Sequence, residues 1–93
     1  MSVEALDRVT VTRAVKTVVI AESRLSIDPD AVSGDEPLNG ELLRVNSFGF
    51  VGMLVRLEDD LGVTLPDDLF VGRTFTTVDD LVAVVLDAVE AAR

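Results

Sequence analysis

The repeat near the end of the chain constrains the fold most. Val78, Leu81, Val82, Val85, Ala88, Val89 and Ala92 fall at i, i+3, i+4, i+7, i+10, i+11 and i+14. That spacing lines one side of an α-helix. Thr76 and Thr77 precede the repeat as N-cap types, with Asp79 and Asp80 three residues on as capping partners.

Two further helices follow from periodicity. Over Val3 to Ala21, Leu6, Val11, Val15, Val18 and Val19 form a helical stripe with Ser2 available as a cap. The β-branched residues there also suit a strand, but Arg13 and Ala14 break clean alternation before Val15. The other helix begins at Asn46 or Ser47, both good caps, and runs to about Leu61, where Gly62 ends it and Val63 supplies the apolar residue of a Schellman-type stop. Leu65–Phe70, with Pro66 near its first position and Asp67 and Asp68 in its first turn, predicts a short helix. Residues 23–45 carry the breakers Pro29, Gly34, Pro37 and Gly40, so this stretch is irregular. Its length requires pinning, for which Leu25, Ile27, Val32, Leu38, Leu42 and Leu43 are the candidates. The expected fold is all-α, a single domain over residues 1–93, with three longer helices and one short one packed as a four-helix bundle.

Composition narrows the chemistry. At 93 residues the chain buries only roughly 60% of its unfolded surface, too little for a two-domain enzyme with a deep cleft. It has no His and no Cys. It therefore lacks an ordinary general base poised near neutral pH, a thiol nucleophile and a thiolate metal site, and neither autonomous catalysis nor a bound metal is expected. Glu4, Asp7, Arg8, Arg13 and Lys16 interrupt any signal-peptide core, and the longest apolar run, Leu81–Leu86, is far short of a membrane span. A cytosolic, monomeric protein is the expectation.

The formal net charge is −9, from 17 acids and 8 bases. Residues 1–22 are neutral, with Glu4, Asp7 and Glu22 balancing Arg8, Arg13 and Lys16, so the remainder holds the whole excess. Such a surface attracts basic protein partners and repels nucleic acid, which also needs stacking aromatics that a chain without Trp or Tyr lacks.

The helix after Asn46 carries two apolar stripes. Phe50, Met53, Leu54, Leu57 and Leu61 form a core face, whereas Phe48, Val51 and Val55 lie on another side in line with Ser47. A small protein cannot easily bury both, so an exposed face for binding is the expectation, with a fully enclosed central helix as the alternative. Val45-Asn46-Ser47-Phe48-Gly49 half-matches a hydrolase nucleophile elbow, but Val45 replaces its first Gly and no His exists to activate the hydroxyl. Ser47 is explained as a cap; it is also a hydroxyl accessible to a modifying enzyme, at a helix end that favours a phosphate. Asp28-Pro29-Asp30 opens like a calcium loop, yet Val32, Ser33 and Asn39 stand where that loop needs an acid or amide, Gly and Glu.

Asn46-Ser47-Phe48, then Leu54, Leu57, Glu58-Asp59-Asp60-Leu61-Gly62-Val63, Leu65–Phe70 and Thr76-Thr77-Val78-Asp79-Asp80-Leu81 together resemble the acyl carrier protein family over about Leu42–Val85. The resemblance implies that Ser47 carries a covalent 4′-phosphopantetheine whose thiol holds an acyl group as a thioester, which accounts for a chain without Cys. It implies that Phe48, Val51 and Val55, with Asn46, Glu58 and Asp59, dock partner enzymes offering Arg and Lys. Those partners would be a phosphopantetheinyl transferase, an acyl- or aminoacyl-loading enzyme, and acyltransferase or ketosynthase-type enzymes.

Departures from the family pattern are local. Asn46 replaces the usual Asp, and Gly49 and Gly52 stand where many fatty-acid carriers have acidic or polar residues. Each glycine costs the helix about 1 kcal/mol relative to Ala. The resemblance then points to a free-standing carrier of polyketide-type or other specialised biosynthesis that docks more by apolar contact than by charge. The alternatives are an aminoacyl or peptidyl carrier of a nonribosomal peptide pathway and, from another class, an unmodified helical interaction module.

Overall fold

A computed structural model describes residues 7–45 and 48–92. Among these are three α-helices, α1 (Arg8–Glu22), α2 (Gly49–Leu61) and α3 (Val78–Ala92), a single 3-10 turn at Pro29–Ala31, and no strand beyond two isolated bridges. α1 packs against α2, α3 and the 3-10 turn. It contributes Val11, Val15, Val18, Val19 and Ile20 to the core; α2 adds Met53, Leu54, Leu57 and Leu61, and α3 adds Val78, Leu81, Val82, Val85 and Val89. Each of these side chains contributes roughly 1.5–3 kcal/mol by leaving water. No polar side chain among the described residues is buried.

α1 begins at Arg8 rather than Val3. Asp7 has extended backbone and its carboxylate accepts the Thr10 N–H at 2.9 Å, so the acid caps the helix there. Ser2 and Leu6 lie outside the described residues. α1 ends in a Schellman motif, with Arg24 N–H donating to Ala21 O and Leu25 N–H to Ile20 O, both at 3.1 Å. The left-handed position falls on Arg24, φ 59°, not on a glycine.

α2 ends as expected. Gly62 takes φ 67°, its N–H reaches Glu58 O at 2.9 Å, and the Val63 N–H reaches the same oxygen at 3.3 Å. At α3, Thr77 and Asp80 form the reciprocal box: Thr77 Oγ1 accepts the Asp80 N–H at 3.4 Å, and the Asp80 carboxylate accepts the N–H groups of Thr76 (2.9 Å) and Thr77 (3.2 Å). Asp79 takes no part; its carboxylate packs against Gly34 instead.

The short helix expected at Leu65–Phe70 is replaced by successive turns. Leu69 N–H bonds Pro66 O and Val71 N–H bonds Asp68 O, both i to i+3, and no run of helical bonds develops. The short helical piece lies at Pro29–Ala31, where the Asp28 carboxylate accepts the Asp30 N–H at 2.8 Å.

The irregular stretch is pinned by its apolar residues, as expected. Val32, Leu38 and Leu43 are buried, and Leu25, Ile27 and Leu42 pack half-buried against the core. The stretch also supplies carbonyls to the first N–H groups of α3, Glu36 O to Val78 and Gly34 O to Asp79. A small hairpin then returns Val45 to the core, its N–H on Leu38 O at 2.9 Å, and the Arg44 N–H is held by Ser23 Oγ at 2.8 Å. The chain entering α2 is thus anchored immediately before Asn46.

Candidate functional site

The two stripes of α2 separate as their spacing requires. Met53, Leu54, Leu57 and Leu61 are buried, whereas Phe48, Val51 and Val55 are 90%, 72% and 57% exposed. Gly52 and Asp59 share the exposed side, four residues after Phe48 and Val55 respectively. Of the four Phe, three close a hydrophobic end: Phe50, Phe70 and Phe75 meet pairwise at centroid distances of 5.5–5.6 Å, two of the pairs edge-on. Phe48 alone is turned to solvent.

A groove of about 230 Å³ runs between α2 and the turns at 66–72. Phe50, Leu54 and Phe70 form its floor, with Val51, Val55 and Glu58 on one rim and Asp67 and Val71 on the other. Val71, 73% exposed, extends the apolar face beyond α2. Sequence reasoning missed it because its placement depends on the turns, although an apolar residue directly before Gly72 was a visible signal.

The acids at the end of α2 play unequal parts. The Glu58 carboxylate, half-buried, accepts the Leu65 N–H at 2.8 Å and so ties α2 to the following turns. Asp59 and Asp60 are exposed. Asn46 and Ser47, the expected cap and attachment residues, lie outside the described residues.

The helix start itself is legible from its neighbours. Phe48 occupies the N-cap position with helical backbone and no side-chain cap bond, and the first turn of α2 contains no acid. The Glu22 carboxylate from α1 packs against Gly49 so closely that an added Cβ would stand 2.5 Å from its oxygen. The end of α2 thus presents the positive end of the helix dipole beside an exposed apolar strip, which fits a phosphodiester with a long, partly apolar arm.

No helix among the described residues is long and apolar enough to cross a membrane. The pKa shifts lie away from this face. Asp7 is lowered by the Thr10 N–H, and Asp80 by the N–H groups of Thr76 and then Thr77.

A family model described as the phosphopantetheine attachment site matches residues 16–85, most of the chain. No curated protein and no solved structure matches. The family consists of carrier proteins, generally not catalytic themselves, that attach 4′-phosphopantetheine covalently, typically on a serine, and meet a phosphopantetheinyl transferase and acyl-handling enzymes. With a helical fold and a match running from α1 into α3, the chain belongs to the phosphopantetheine-attachment-site family.

Proposed function

We propose that Ser47 carries the arm and that the face from Phe48 to Val55, with Asp59, docks the enzymes that load and unload it. The matched span contains four serines. Ser23 Oγ is engaged by the Arg44 N–H, Ser33 donates to the Asp35 carboxylate, and Ser26 lies in the connection between α1 and the 3-10 turn. Ser47 alone adjoins an exposed apolar helix face. That juxtaposition carries the reading.

In this reading the arm supplies the thiol that the chain lacks. The chain's own residues orient and present: Val45 anchors the entry to α2, the positive end of the α2 dipole favours the phosphodiester charge, and Phe48, Val51 and Val55 offer the contact surface. The cargo is an acyl group held as a thioester, passed between enzymes of polyketide-type or other specialised biosynthesis. The uncharged exposed strip of Phe48, Val51, Gly52 and Val55 supports partners selected by apolar fit, while the −9 net charge speeds encounter with basic ones.

Co-expression with a broad-specificity phosphopantetheinyl transferase, followed by intact-mass measurement, tests the assignment. Wild type gains one phosphopantetheine and Ser47→Ala gains none. Modification that persists in Ser47→Ala would place the arm elsewhere.

A further inference from the structure

The outer side of α1 differs in sign from the rest of the molecule. Arg8, Thr12 and Lys16 follow one another at intervals of four, with Val9 and Arg13 beside them, so all five share one flank of the helix. Together with Pro29 and Asp30 they line an open cleft of about 280 Å³. Arg13 reaches across it to Asp30, Nη2 to Oδ1 3.5 Å, an exposed pair of little energetic weight. Among the described residues Arg8 and Lys16 make no ion pair. Val9 is 75% exposed with no apolar cover. Three of the chain's eight cations therefore converge on one cleft containing a single acid, in a protein of net charge −9.

We propose that this cleft docks an acidic, extended segment of a partner protein carrying one apolar side chain. The carboxylates would face Arg8 and Lys16, and the apolar side chain would rest on Val9 and Pro29. Charge complementarity selects this occupant over a broader one. The molecule measures 36 × 28 × 19 Å, several times the screening length of about 8 Å at physiological salt. A peptide lying in the cleft stays within that length of the cations. An anionic membrane or a nucleic acid, being extended, covers more than the cleft and meets acids that flank it, among them Asp7 and Asp28, which oppose it. The cleft shares no residue with the α2 face and does not depend on Ser47. A partner could hold the carrier here while α2 remains open to an enzyme.

The test titrates isotopically labelled protein with a short synthetic peptide in which glutamates flank one leucine, followed by amide chemical shifts. The shifts should be confined to residues 8–16 and 29–31, and affinity should fall roughly tenfold between about 0.05 and 0.5 M salt. The double variant Arg8→Glu with Lys16→Glu should lose at least tenfold in affinity, and so should the peptide with serine for leucine. Both cations lie on the helix surface, and an unchanged helical spectrum establishes that the variant is folded; Arg8→Gln with Lys16→Gln is the milder second variant. Shifts centred on α2, unchanged affinity in both variants, or no shifts at all would overturn the proposal. Binding of phosphatidylglycerol vesicles in place of the peptide would overturn it in favour of a lipid surface.

Discussion

Gly52→Ala separates the stability of α2 from its use. The residue stands one turn into the helix, exposed, and a Cβ built there meets no heavy atom within 4 Å. Glycine inside a helix costs about 1 kcal/mol relative to alanine, in part because the unfolded chain has more freedom to lose. With no clash to offset it, the gain should appear in full. About 1 kcal/mol raises Tm by roughly 4–8 °C in a domain of this size. Urea unfolding followed by helical ellipticity reads the change as a higher midpoint at constant slope. The new methyl also projects among Phe48, Val51 and Val55, on the face proposed to dock. If a partner packs closely there, the methyl should cost about 1 kcal/mol of fit, lowering kcat/KM for acyl transfer roughly fivefold. Stability and transfer then move in opposite directions. A variant no more stable than wild type refutes the account of α2 as an unobstructed helix at this point. One that is more stable yet transfers at the wild-type rate refutes docking on this face.

Other substitutions probe the scaffold. Arg24→Gly should stabilise by about 0.5–1 kcal/mol, read as a higher urea midpoint, because Arg24 closes α1 in the left-handed region. Phe70→Ala should cost about 3–5 kcal/mol in the same assay, since its ring is buried against Phe50 and Phe75. The Asp80 carboxylate, held below the ordinary range by the N–H groups of Thr76 and Thr77, stabilises the fold above the unfolded-state value of about 4; that contribution is lost as pH falls through the lowered folded value. Asp80→Asn should therefore lower the urea midpoint at about pH 6 and narrow its gap to wild type at about pH 3; parallel profiles would contradict this.

Much of the architecture was legible because periodicity and stop signals coincide. α3 could be read from its apolar repeat and its Thr and Asp caps, and the end of α2 from Gly62, which alone supplies an unstrained left-handed stop there. The exposed face of α2 followed from having two stripes where a small core accepts one. Elsewhere the same signals had different outcomes. An acid or cap with a nearby Pro marks both Asp28-Pro29-Asp30 and Leu65-Pro66-Asp67, yet only the first gives a 3-10 turn, because the second closes separate i to i+3 bonds. The start of α1 lies later than its stripe suggests, because Asp7 accepts the Thr10 N–H and caps the helix within that stripe. The contact of Glu22 with Gly49 and the basic cleft were hidden altogether. Both join residues distant in sequence through the packing of α1.

The central claim is that the arm is attached at Ser47. Trypsin cleaves after Lys16, Arg24, Arg44 and Arg56, so the serines of the matched span fall into separate peptides: Ser23 in 17–24, Ser26 and Ser33 in 25–44, and Ser47 in 45–56. Ser47 is the only hydroxyl-bearing residue of residues 45–56. Peptide mass spectrometry of the protein after treatment with coenzyme A and a phosphopantetheinyl transferase should find the 4′-phosphopantetheine mass on the 45–56 peptide. The same mass on 17–24 or 25–44, or on no peptide, would contradict the account.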